Sequence, residues 1–569
     1  MNILLVAINS KYIHTALGMH SIYRYCQKQN IMLELCEDTI QTPLLAALAE
    51  ITGYNPDVVG INVHIWNKNY VFELAGLIRQ VLPKVKIVFG GPEVGFTASD
   101  SFAECTAVDF IVQGEGEEVF AQLLKNLETG ENAPKFVAYR DVSGDLQNIS
   151  EPTVVKDLSV LPFPYENLEK IVSEHKITYY ECTRGCPFSC SYCLSGISHT
   201  VRRRPLEIVI KDLDKFMAAG VPLVKFVDRT YNLDESYFLP IMQHLAAANT
   251  KTTFHFELKA DLLSENVLNF LKTVPKHRFQ LEIGVQTTNP KTLTAIGRQD
   301  YWEKLAFNVD KILSFANMHV HLDLIAGLPY EDLASFKKSF NDVYALQANM
   351  LQLGFLKVLK GALIGRQKKE YGMLYMEQPP YEILQTKYLS YEELRFLKIL
   401  EDVFDHTYNT GKYAHTLSYL IAQGYQNDAF AFYTAFTSWW ESKGLYPLGH
   451  NVKDVALLLL AFVQENHANL LQVLQEILRF DIFVGQPNWR PEELNWHTEI
   501  LREPILEFWR NIELVHKYLP EYEFTTWRKL RKYLPIESFK WTPETGYGQE
   551  HFILADYTGK EIVYMEVEL

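Results

Sequence analysis

Short apolar runs alternate with helical patterns through the first part of the chain. Amphipathic stretches such as Asn69–Leu82 and Glu117–Leu127 separate the runs. This alternation is typical of an open parallel sheet with helices packed on both faces. The runs that predict strands are Ile3–Ala7, Met32–Cys36, Asp57–Val63, Lys86–Phe89 and Asp109–Val112. Residues 1–135 are therefore predicted to form an α/β domain with a doubly wound, Rossmann-like parallel sheet.

Polar or glycine-bearing turns follow the C-terminal ends of these predicted strands. In an open α/β sheet, ligands bind at that edge. The turns are NSKYIH at Asn9–His14, HIWN at His64–Asn67, GGPE at Gly90–Glu93 and GEGE at Gly114–Glu117. They predict a ligand site on one edge of the first domain.

A second alternating segment, predicted over residues 171–375, follows a proline-bearing linker at residues 136–170. Its strands separate polar from apolar side chains, because alternate residues of a strand point to opposite faces. In Phe279–Gln286, the residues Gln280, Glu282, Gly284 and Gln286 alternate with Leu281, Ile283 and Val285. The other predicted strands are Ile177–Cys182, Leu223–Asp228, Thr253–Leu258, Val320–Ala326 and Leu351–Leu356. A parallel sheet covered by helices should be apolar on both faces, so the polar face predicts a partial or full (β/α) barrel around a polar cavity.

Residues 376–569 are predicted to form a mainly helical C-terminal domain of unknown function. The helical stretches are Glu392–Phe404, Tyr413–Ala422, Ala429–Lys443 and Val452–Phe480. Near the end, Phe552–Glu568 predicts a β-hairpin around Thr558 and Gly559.

Charge and hydropathy indicate in which compartment the protein acts and which classes of partner it binds. The net charge of −15 argues against a protein that wraps nucleic acid or coats an anionic membrane. The first ten residues lack the basic region and cleavage site of a secretory signal, and no apolar run has the length of a membrane span. We expect a cytoplasmic protein that acts on a small molecule or peptide and does not bind a membrane.

Four of the chain's seven cysteines lie in the stretch ECTRGCPFSCSYC at Glu181–Cys193. A reducing cytosol disfavours a disulfide knot. Zinc sites usually draw on two separated ligand pairs, and no second pair stands at the required spacing. The spacing Cys186-x3-Cys190-x2-Cys193 can instead wrap three corners of a [4Fe–4S] cluster and leave the fourth iron open. The loop follows the first barrel strand, where catalytic loops sit.

With these cysteines and the aromatic Tyr192, the chain resembles the radical S-adenosylmethionine superfamily, whose signature is CxxxCxxC. The stretch DLIAGLPYE at Asp323–Glu331 is similar to the fifth-strand pattern of that family, with Tyr330 where glycine is commoner. The resemblance implies reductive cleavage of S-adenosylmethionine to a 5′-deoxyadenosyl radical, with an electron from a donor such as flavodoxin or ferredoxin. It also implies S-adenosylmethionine contacts at Tyr192, Asp228, Glu257, Glu282, Gln286 and Asp323.

The remaining thiols and a histidine pair are expected to lie outside the cluster. A fourth thiol ligand would close the open iron, so Cys182 is predicted to be a bystander. Cys26, Cys36 and Cys105 are predicted to be small buried hydrophobic residues. His319, His321 and Asp323 could suggest a mononuclear metal site, but residues i and i+4 of a strand lie roughly 13 Å apart.

The stretches DVVGINVHIWN, KIVFGGPE and DFIVQGEGEEVF resemble the first domain of cobalamin-binding radical S-adenosylmethionine proteins. The resemblance implies cobalamin on the turns at Gly90, Gly91, Gly114 and Glu115. His14 is a candidate lower ligand, but Tyr12 and Gly18 break the D-x-H-x-x-G motif, so we expect a loop hydrogen bond there. Cys26, Cys36 and Cys105 lack the spacing of methylthiotransferases. The third segment resembles the uncharacterised C-terminal domain of one bacterial subgroup.

Three hypotheses follow for the function. The first is a cobalamin-dependent radical S-adenosylmethionine enzyme that methylates or rearranges an unactivated carbon of an unknown substrate. The second is a cobalamin-independent radical enzyme with a degenerate first domain. The third is a non-catalytic sensor of iron–sulfur clusters or cobalamin, which the polar barrel lining disfavours because a sensor needs no reaction chamber.

Overall fold

The computed structural model describes residues 1–197, 199–523, 525–559 and 562–569. The chain divides into two compact units. The first comprises residues 1–348 and 353–394, and the second comprises residues 349–352 and 395–569. The first unit carries two parallel sheets.

The first sheet is built by the N-terminal strands. These are β1 (Ile3–Asn9), β2 (Glu34–Thr39), β3 (Val58–Asn62), β4 (Lys86–Gly90), β5 (Phe110–Val112), β6 (Val137–Arg140) and β7 (Leu146–Gln147). Their order is β2-β1-β3-β4-β5-β6-β7. Pairing is parallel from β2 through β5, and β6 and β7 add antiparallel strands at one edge. The predicted doubly wound sheet is confirmed.

Helices cover both faces of this sheet. They are α1 (Leu17–Lys28), α2 (Leu44–Gly53), α3 (Lys68–Val81), α4 (Pro92–Gly95), α5 (Ala98–Glu104) and α6 (Gly116–Thr129). Every residue of β1 is buried. Alternate side chains such as Leu4 and Val6 join the core beside α2 and α3, while Leu5 and Ala7 join the core beside α1 and α6. Burial on both faces explains why the strand reads as one continuous apolar run.

The second sheet follows the linker helix α7 (Leu168–Ser173). Its strands are β8 (Thr178–Tyr180), β11 (Leu223–Phe226), β12 (Thr253–Leu258), β13 (Phe279–Gln286), β14 (His319–Ala326) and β15 (Met350–Phe355), and a two-stranded ribbon of β9 (Thr183–Arg184) and β10 (Arg202–Arg203) stands beside it. The order is β15-β14-β13-β12-β11-β8. Because β8 and β15 end the order rather than pair, the sheet is an open, partial (β/α) barrel in the part of the chain that the structure describes.

The barrel helices lie between these strands. They are α8 (Leu206–Ala218), α9 (Glu235–Ala247), α10 (Glu265–Leu271), α11 (Pro290–Ala295), α12 (Trp302–Ser314) and α13 (Leu333–Tyr344), and the short strands β16 (Leu374–Tyr375) and β17 (Ile383–Gln385) follow. In β13 the apolar residues are buried and their polar neighbours are half-buried in strict alternation. The polar face predicted for this strand is therefore present.

The second unit is mainly helical. Its helices are α14 (Tyr391–Thr407), α15 (Ala414–Tyr425), α16 (Ala429–Ser442), α17 (Val452–Asn466), α18 (Leu471–Gly485), α19 (Arg502–Arg510), α20 (Ile512–Tyr518) and α21 (Trp527–Tyr533). The stretch predicted as one helix over Val452–Phe480 breaks into α17 and α18, because a 3₁₀ turn at Ala468–Leu470 interrupts it. No described helix combines the length and apolar character that a bilayer span requires.

Three antiparallel strands close the chain: β18 (Ile536–Thr542), β19 (Gly546–Asp556) and β20 (Val563–Val567). The predicted hairpin corresponds to β19 and β20. Its connection includes Lys560 and Glu561, which lie outside the described residues.

Candidate active site

A cavity of about 1000 Å³ opens between the two sheets of the first unit. The first sheet contributes the turns at its C-terminal edge, including His14, Gly90, Gly91 and Gly114. The ribbon beside the second sheet contributes Thr183–Gly185. Its volume lies at the upper end of small-molecule pockets, so a macrocycle-sized ligand can enter it.

Two of the glycines are required by the chain's own backbone. Gly91 has φ 106°, and a Cβ there would lie 2.6 Å from the Val63 carbonyl oxygen. Gly114 has φ 104°, and a Cβ would clash with the backbone of Thr153. A Cβ added at Gly90 would have the Val112 Cβ, at 3.8 Å, as its nearest neighbour, so there is open space at that position. The Gly90–Gly91 turn thus brings bare backbone to the cavity, which fits a large flat ligand.

His14 and Glu115, the two polar residues of this edge singled out from the sequence, both have protein partners. His14 Nδ1 lies 2.7 Å from the Tyr179 hydroxyl, and burial lowers the pKa of its imidazole. Glu115 accepts hydrogen bonds from Arg184 and Arg202. Both residues also line the cavity.

The three cysteines of the CxxxCxxC stretch lie on the loop after β9. All are free thiols; Cys186 and Cys190 are buried, and Cys193 is half-buried. The backbone N–H of Cys193 donates to the Cys190 carbonyl at 3.1 Å, and that of Ser191 donates to Ile296 at 2.8 Å. Among the described side chains, no three His, Cys, Asp or Glu groups are placed to share a single metal ion. Three thiols on one short loop are the donor set that an iron–sulfur cluster takes.

Asp228 anchors the start of this loop. Its buried carboxylate accepts hydrogen bonds from the backbone N–H and the hydroxyl of Thr183, both at 2.6 Å. It also accepts from the backbone N–H of Cys182 at 3.2 Å and from its thiol at 3.1 Å. Burial raises the pKa of Asp228 to about 6, although these donors oppose the shift. The structure therefore places Asp228 against the chain that leads to Cys186.

Arg298 joins the cluster loop to the polar face of the barrel. Its guanidinium donates to the Gly284 carbonyl at 2.5 Å and to the Tyr192 hydroxyl at 3.4 Å, and it pairs with Asp300. Burial raises the pKa of the Cys190 thiol, whereas the nearby Arg298 opposes that rise. This cation favours thiolate character at Cys190.

The polar face of β12 to β14 carries a row of titratable groups. In the parallel register Glu257 lies beside Glu282, and Glu282 lies beside His321. His255 Nε2 is 3.0 Å from Glu282 Oε2, and this hydrogen bond lowers the pKa of Glu282. Burial raises the pKa of Glu257 to about 7.

Buried polar atoms without hydrogen-bond partners mark the end of this face. Gln286 has φ 70°, and its Oε1 is one such atom. His321 Nε2 faces Asp323 Oδ1 at 3.1 Å, and neither atom has hydrogen-bond geometry with any described group. Tyr330, which stands where glycine is commoner, also adopts a positive φ, of 62°. These unsatisfied groups fit a polar ligand such as S-adenosylmethionine.

The structure brings most of the predicted site residues to two neighbouring places. Cys186, Cys190, Cys193 and Tyr192 lie on the loop, while Glu257, Glu282, Gln286 and Asp323 lie on the adjoining strand face. Arg184, Arg202 and Arg298 were missed by sequence reasoning. Arg184 and Arg202 both bind Glu115, which is 69 and 87 positions away, so no local pattern signals that pairing. Arg298 pairs with the nearby Asp300, but its contacts with Tyr192 and Gly284 form only in the fold.

Three family models match the chain. The B12 binding domain matches residues 3–124, the Radical SAM superfamily matches residues 180–343, and a protein of unknown function, DUF4080, matches residues 369–552. The first match takes in strands β1 to β5, and the second takes in the cysteine loop and strands β11 to β14.

Two curated methyltransferases and a solved cobalamin-dependent radical enzyme are similar to this chain. The chain is 24% identical over 290 residues to an uncharacterized methyltransferase of Pyrococcus horikoshii, covering 49% of this chain and 62% of that protein. It is 26% identical over 356 residues to the cobalamin-dependent radical SAM methyltransferase TokK of Streptomyces tokunonensis, covering 57% and 51%. The chain therefore spans less than two thirds of either relative. The structure of the cobalamin-dependent S-adenosylmethionine radical enzyme OxsB, with aqua-cobalamin and S-adenosylmethionine bound, superposes with a TM-score of 0.61 at 15% identity, covering 92% of this chain and 82% of that chain.

Proposed function

We propose that this chain, a radical S-adenosylmethionine protein with an N-terminal B12-binding domain and a C-terminal DUF4080 domain, is a cobalamin-dependent enzyme that methylates an unactivated carbon. The observation that carries the proposal is the shared cavity. The glycine turns of the B12-binding domain and the ribbon that holds the cysteine loop line the same space. A corrin on those turns would therefore face the cluster loop.

The chemistry that the bound groups supply is one-electron cleavage of S-adenosylmethionine to methionine and a 5′-deoxyadenosyl radical, with methyl transfer through the corrin. The chain's own residues prepare that chemistry. Cys186, Cys190 and Cys193 would hold the cluster by their thiolates. Gln286 would bind a polar group of S-adenosylmethionine, because its buried Oε1 accepts no hydrogen bond from the described residues. Asp323 would do so through its carboxylate, which faces His321 Nε2 at 3.1 Å without hydrogen-bond geometry.

Charge around the loop supports the same role. Arg298 offsets the negative charge that deprotonated thiols would gather near Cys190. His255 and His321 keep Glu282 ionised on the polar face, since the hydrogen bond from His255 and the charge of His321 both lower its pKa. The polar face therefore offers fixed acceptors to the hydroxyl and amino groups of a ligand.

The substrate class and the partners belong to the same proposal. A small-molecule substrate is supported by the similarity to the 2-(S-pantetheinyl)-carbapenam-3-carboxylate methyltransferase of Streptantibioticus cattleyicolor, which is 25% identical over 357 residues and is matched over 51% of its length. We infer a low-potential donor such as ferredoxin or flavodoxin and a cytoplasmic location, since the free thiols suit a reducing compartment.

One anaerobic preparation tests the proposal. Iron, sulfide and cobalamin are measured after reconstitution, and 5′-deoxyadenosine is measured after addition of dithionite and S-adenosylmethionine. We expect a cluster, bound cobalamin and 5′-deoxyadenosine. A cluster and 5′-deoxyadenosine without cobalamin uptake would instead identify a cobalamin-independent enzyme, and a cluster without 5′-deoxyadenosine would favour a sensor.

A further inference from the structure

The two ends of the cysteine loop are tied together at the ribbon. Arg184 in β9 stands opposite Arg202 in β10 in the antiparallel register. Between them runs the segment that carries Cys186, Cys190 and Cys193. The two arginine side chains are only 12% and 10% exposed, so their charges need partners inside the protein.

One carboxylate serves both arginines. Glu115 binds Arg202 through two hydrogen bonds, Nη2 to Oε1 at 2.6 Å and Nη1 to Oε2 at 2.8 Å. Its Oε2 also accepts from Arg184 Nη1 at 3.0 Å. A two-pronged guanidinium contact fixes direction as well as distance. Glu115 therefore holds both ends of the loop at once.

Glu117 reinforces the contact from the same turn. Its Oε1 accepts from Arg184 Nη2 at 2.6 Å and from the Ser21 hydroxyl at 2.7 Å. Burial alone would raise the pKa of Glu115 and of Glu117, but the hydrogen bonds and charges of the arginines hold both below the usual range. These two glutamates and the two arginines therefore form a network of ionised groups. Removing one member should destabilise the protein, because it leaves a largely buried charge without its partner.

The same turn lines the cavity. Gly114, Glu115 and Gly116 all border it, and the Glu115 backbone N–H donates to Thr153 at 3.0 Å. A ligand that packs on this turn would restrict Glu115, and through Glu115 it would restrict both ends of the cysteine loop. The reverse also holds, because coupling between two sites is reciprocal.

We propose that Glu115 is a positioning residue that couples ligand occupancy of the cavity to retention of the cluster. The inference rests on the proposed function, since it takes cobalamin as the ligand and a [4Fe–4S] cluster on the loop. It gives Glu115 a role towards the loop rather than direct contact with the corrin. It also implies that the cobalamin-loaded protein releases its cluster more slowly than the cobalamin-free protein.

Iron release to a chelator, followed by absorbance, tests this coupling. The full-length protein with a reconstituted cluster is compared with and without saturating hydroxocobalamin. Coupling between sites typically changes affinity about 5- to 150-fold, and differences in affinity lie mostly in the dissociation rate, so we expect hydroxocobalamin to slow iron release at least about fivefold. Glu115→Gln should release iron faster than the wild type without hydroxocobalamin and should lose the slowing. Glu118→Gln, which changes an exposed glutamate in the first turn of α6, three residues after Glu115, should behave as the wild type.

A second variant guards against a folding defect. Arg202→Lys keeps the charge but loses the two-pronged contact, and we expect it to reduce the slowing by cobalamin without abolishing it. If circular dichroism shows that Glu115→Gln does not fold, Arg202→Lys alone decides, and wild-type behaviour of that variant overturns the inference. Equal slowing in the wild type and in Glu115→Gln would also overturn it.

The outcomes separate this inference from the proposed function. A wild type that binds cluster and cobalamin but releases iron at the same rate with or without cobalamin overturns the coupling alone. A wild type that takes up no cobalamin contradicts both.

Discussion

The thiol of Cys182 donates a hydrogen bond to Asp228, with Sγ 3.1 Å from Oδ1. Burial raises the pKa of this fully buried thiol. It therefore binds Asp228, the residue that anchors the start of the cysteine loop, as a protonated donor. Cys182→Ala should keep the iron and sulfide content and the 5′-deoxyadenosine yield, with a loss of about 1 kcal/mol of stability for the missing hydrogen bond. Cys190→Ala should lose both cluster and product. Loss of the cluster in Cys182→Ala would show that a fourth thiol is a ligand.

Glu257 should make the protein less stable at high pH. Burial raises its pKa from 4.5 to about 7, so between these values the unfolded chain ionises while the folded protein stays protonated. Stability is full below about pH 4.5 and falls as the pH rises towards 7, by up to about 3 kcal/mol. Glu257→Gln should therefore raise the thermal unfolding midpoint at pH 8 and change it much less at pH 5.

Glu128→Gln, at an exposed glutamate, serves as the control for this titration. It should leave the midpoint unchanged at both pH values. Equal shifts for Glu257→Gln at pH 5 and pH 8 would contradict an elevated pKa, because at pH 5 only a small part of the loss of stability between pH 4.5 and about 7 has taken place.

Removing the charge of Arg298 should make the cluster harder to reduce. The guanidinium lies near the Cys190 thiol and binds Tyr192, and cluster potentials fall when nearby positive charge is lost. Arg298→Gln should retain iron but show a more negative midpoint potential and less 5′-deoxyadenosine. Arg298→Lys should fall between this variant and the wild type in potential. An unchanged potential in Arg298→Gln would exclude this electrostatic role.

The glycine turn at Gly114 should not tolerate a side chain. With φ 104° and the Thr153 backbone against the Cβ position, Gly114→Ala should cost about 1–3 kcal/mol from backbone strain alone and should reduce cobalamin uptake. Gly76→Ala, in the middle of α3 with open space at its Cβ position, should stabilise the protein by about 0.5–1 kcal/mol and bind cobalamin normally. Normal uptake by a folded Gly114→Ala would mean that the turn does not shape the site.

Local pattern was enough to predict the parallel strands of the two sheets and the position of the cysteine loop after the first barrel strand. The alternation in Phe279–Gln286 encodes a two-faced strand, because burial of one face imposes a period of two. The break between α17 and α18 was not predicted, because the 3₁₀ turn at Ala468–Leu470 lies within a long stretch of helical pattern. Strand β18 (Ile536–Thr542) was missed because it forms by pairing with β19.

Long-range ion pairs could not be predicted. Glu115 and Arg202 are 87 positions apart, and the turn that holds Glu115 indicates a ligand site but gives no sign of an arginine partner. Asp228 was predicted to end its strand and lies two residues beyond the end of β11 at Phe226, and the sequence does not tell which way its carboxylate turns. Only the fold shows that Cys182 and Thr183 occupy it.

A parallel backbone bridge between His14 and Ile177 covers the edge of the second sheet at the residue just before β8. β8 ends the order of the second sheet, and an end strand offers unpaired backbone groups to other chains. The backbone of Ile177 donates to Ile13 at 2.7 Å, and its carbonyl accepts from the Thr15 hydroxyl at 3.0 Å. The N-terminal domain thus caps the strand that leads to the cysteine loop. A barrel excised without that domain would present a free strand edge and be prone to self-association.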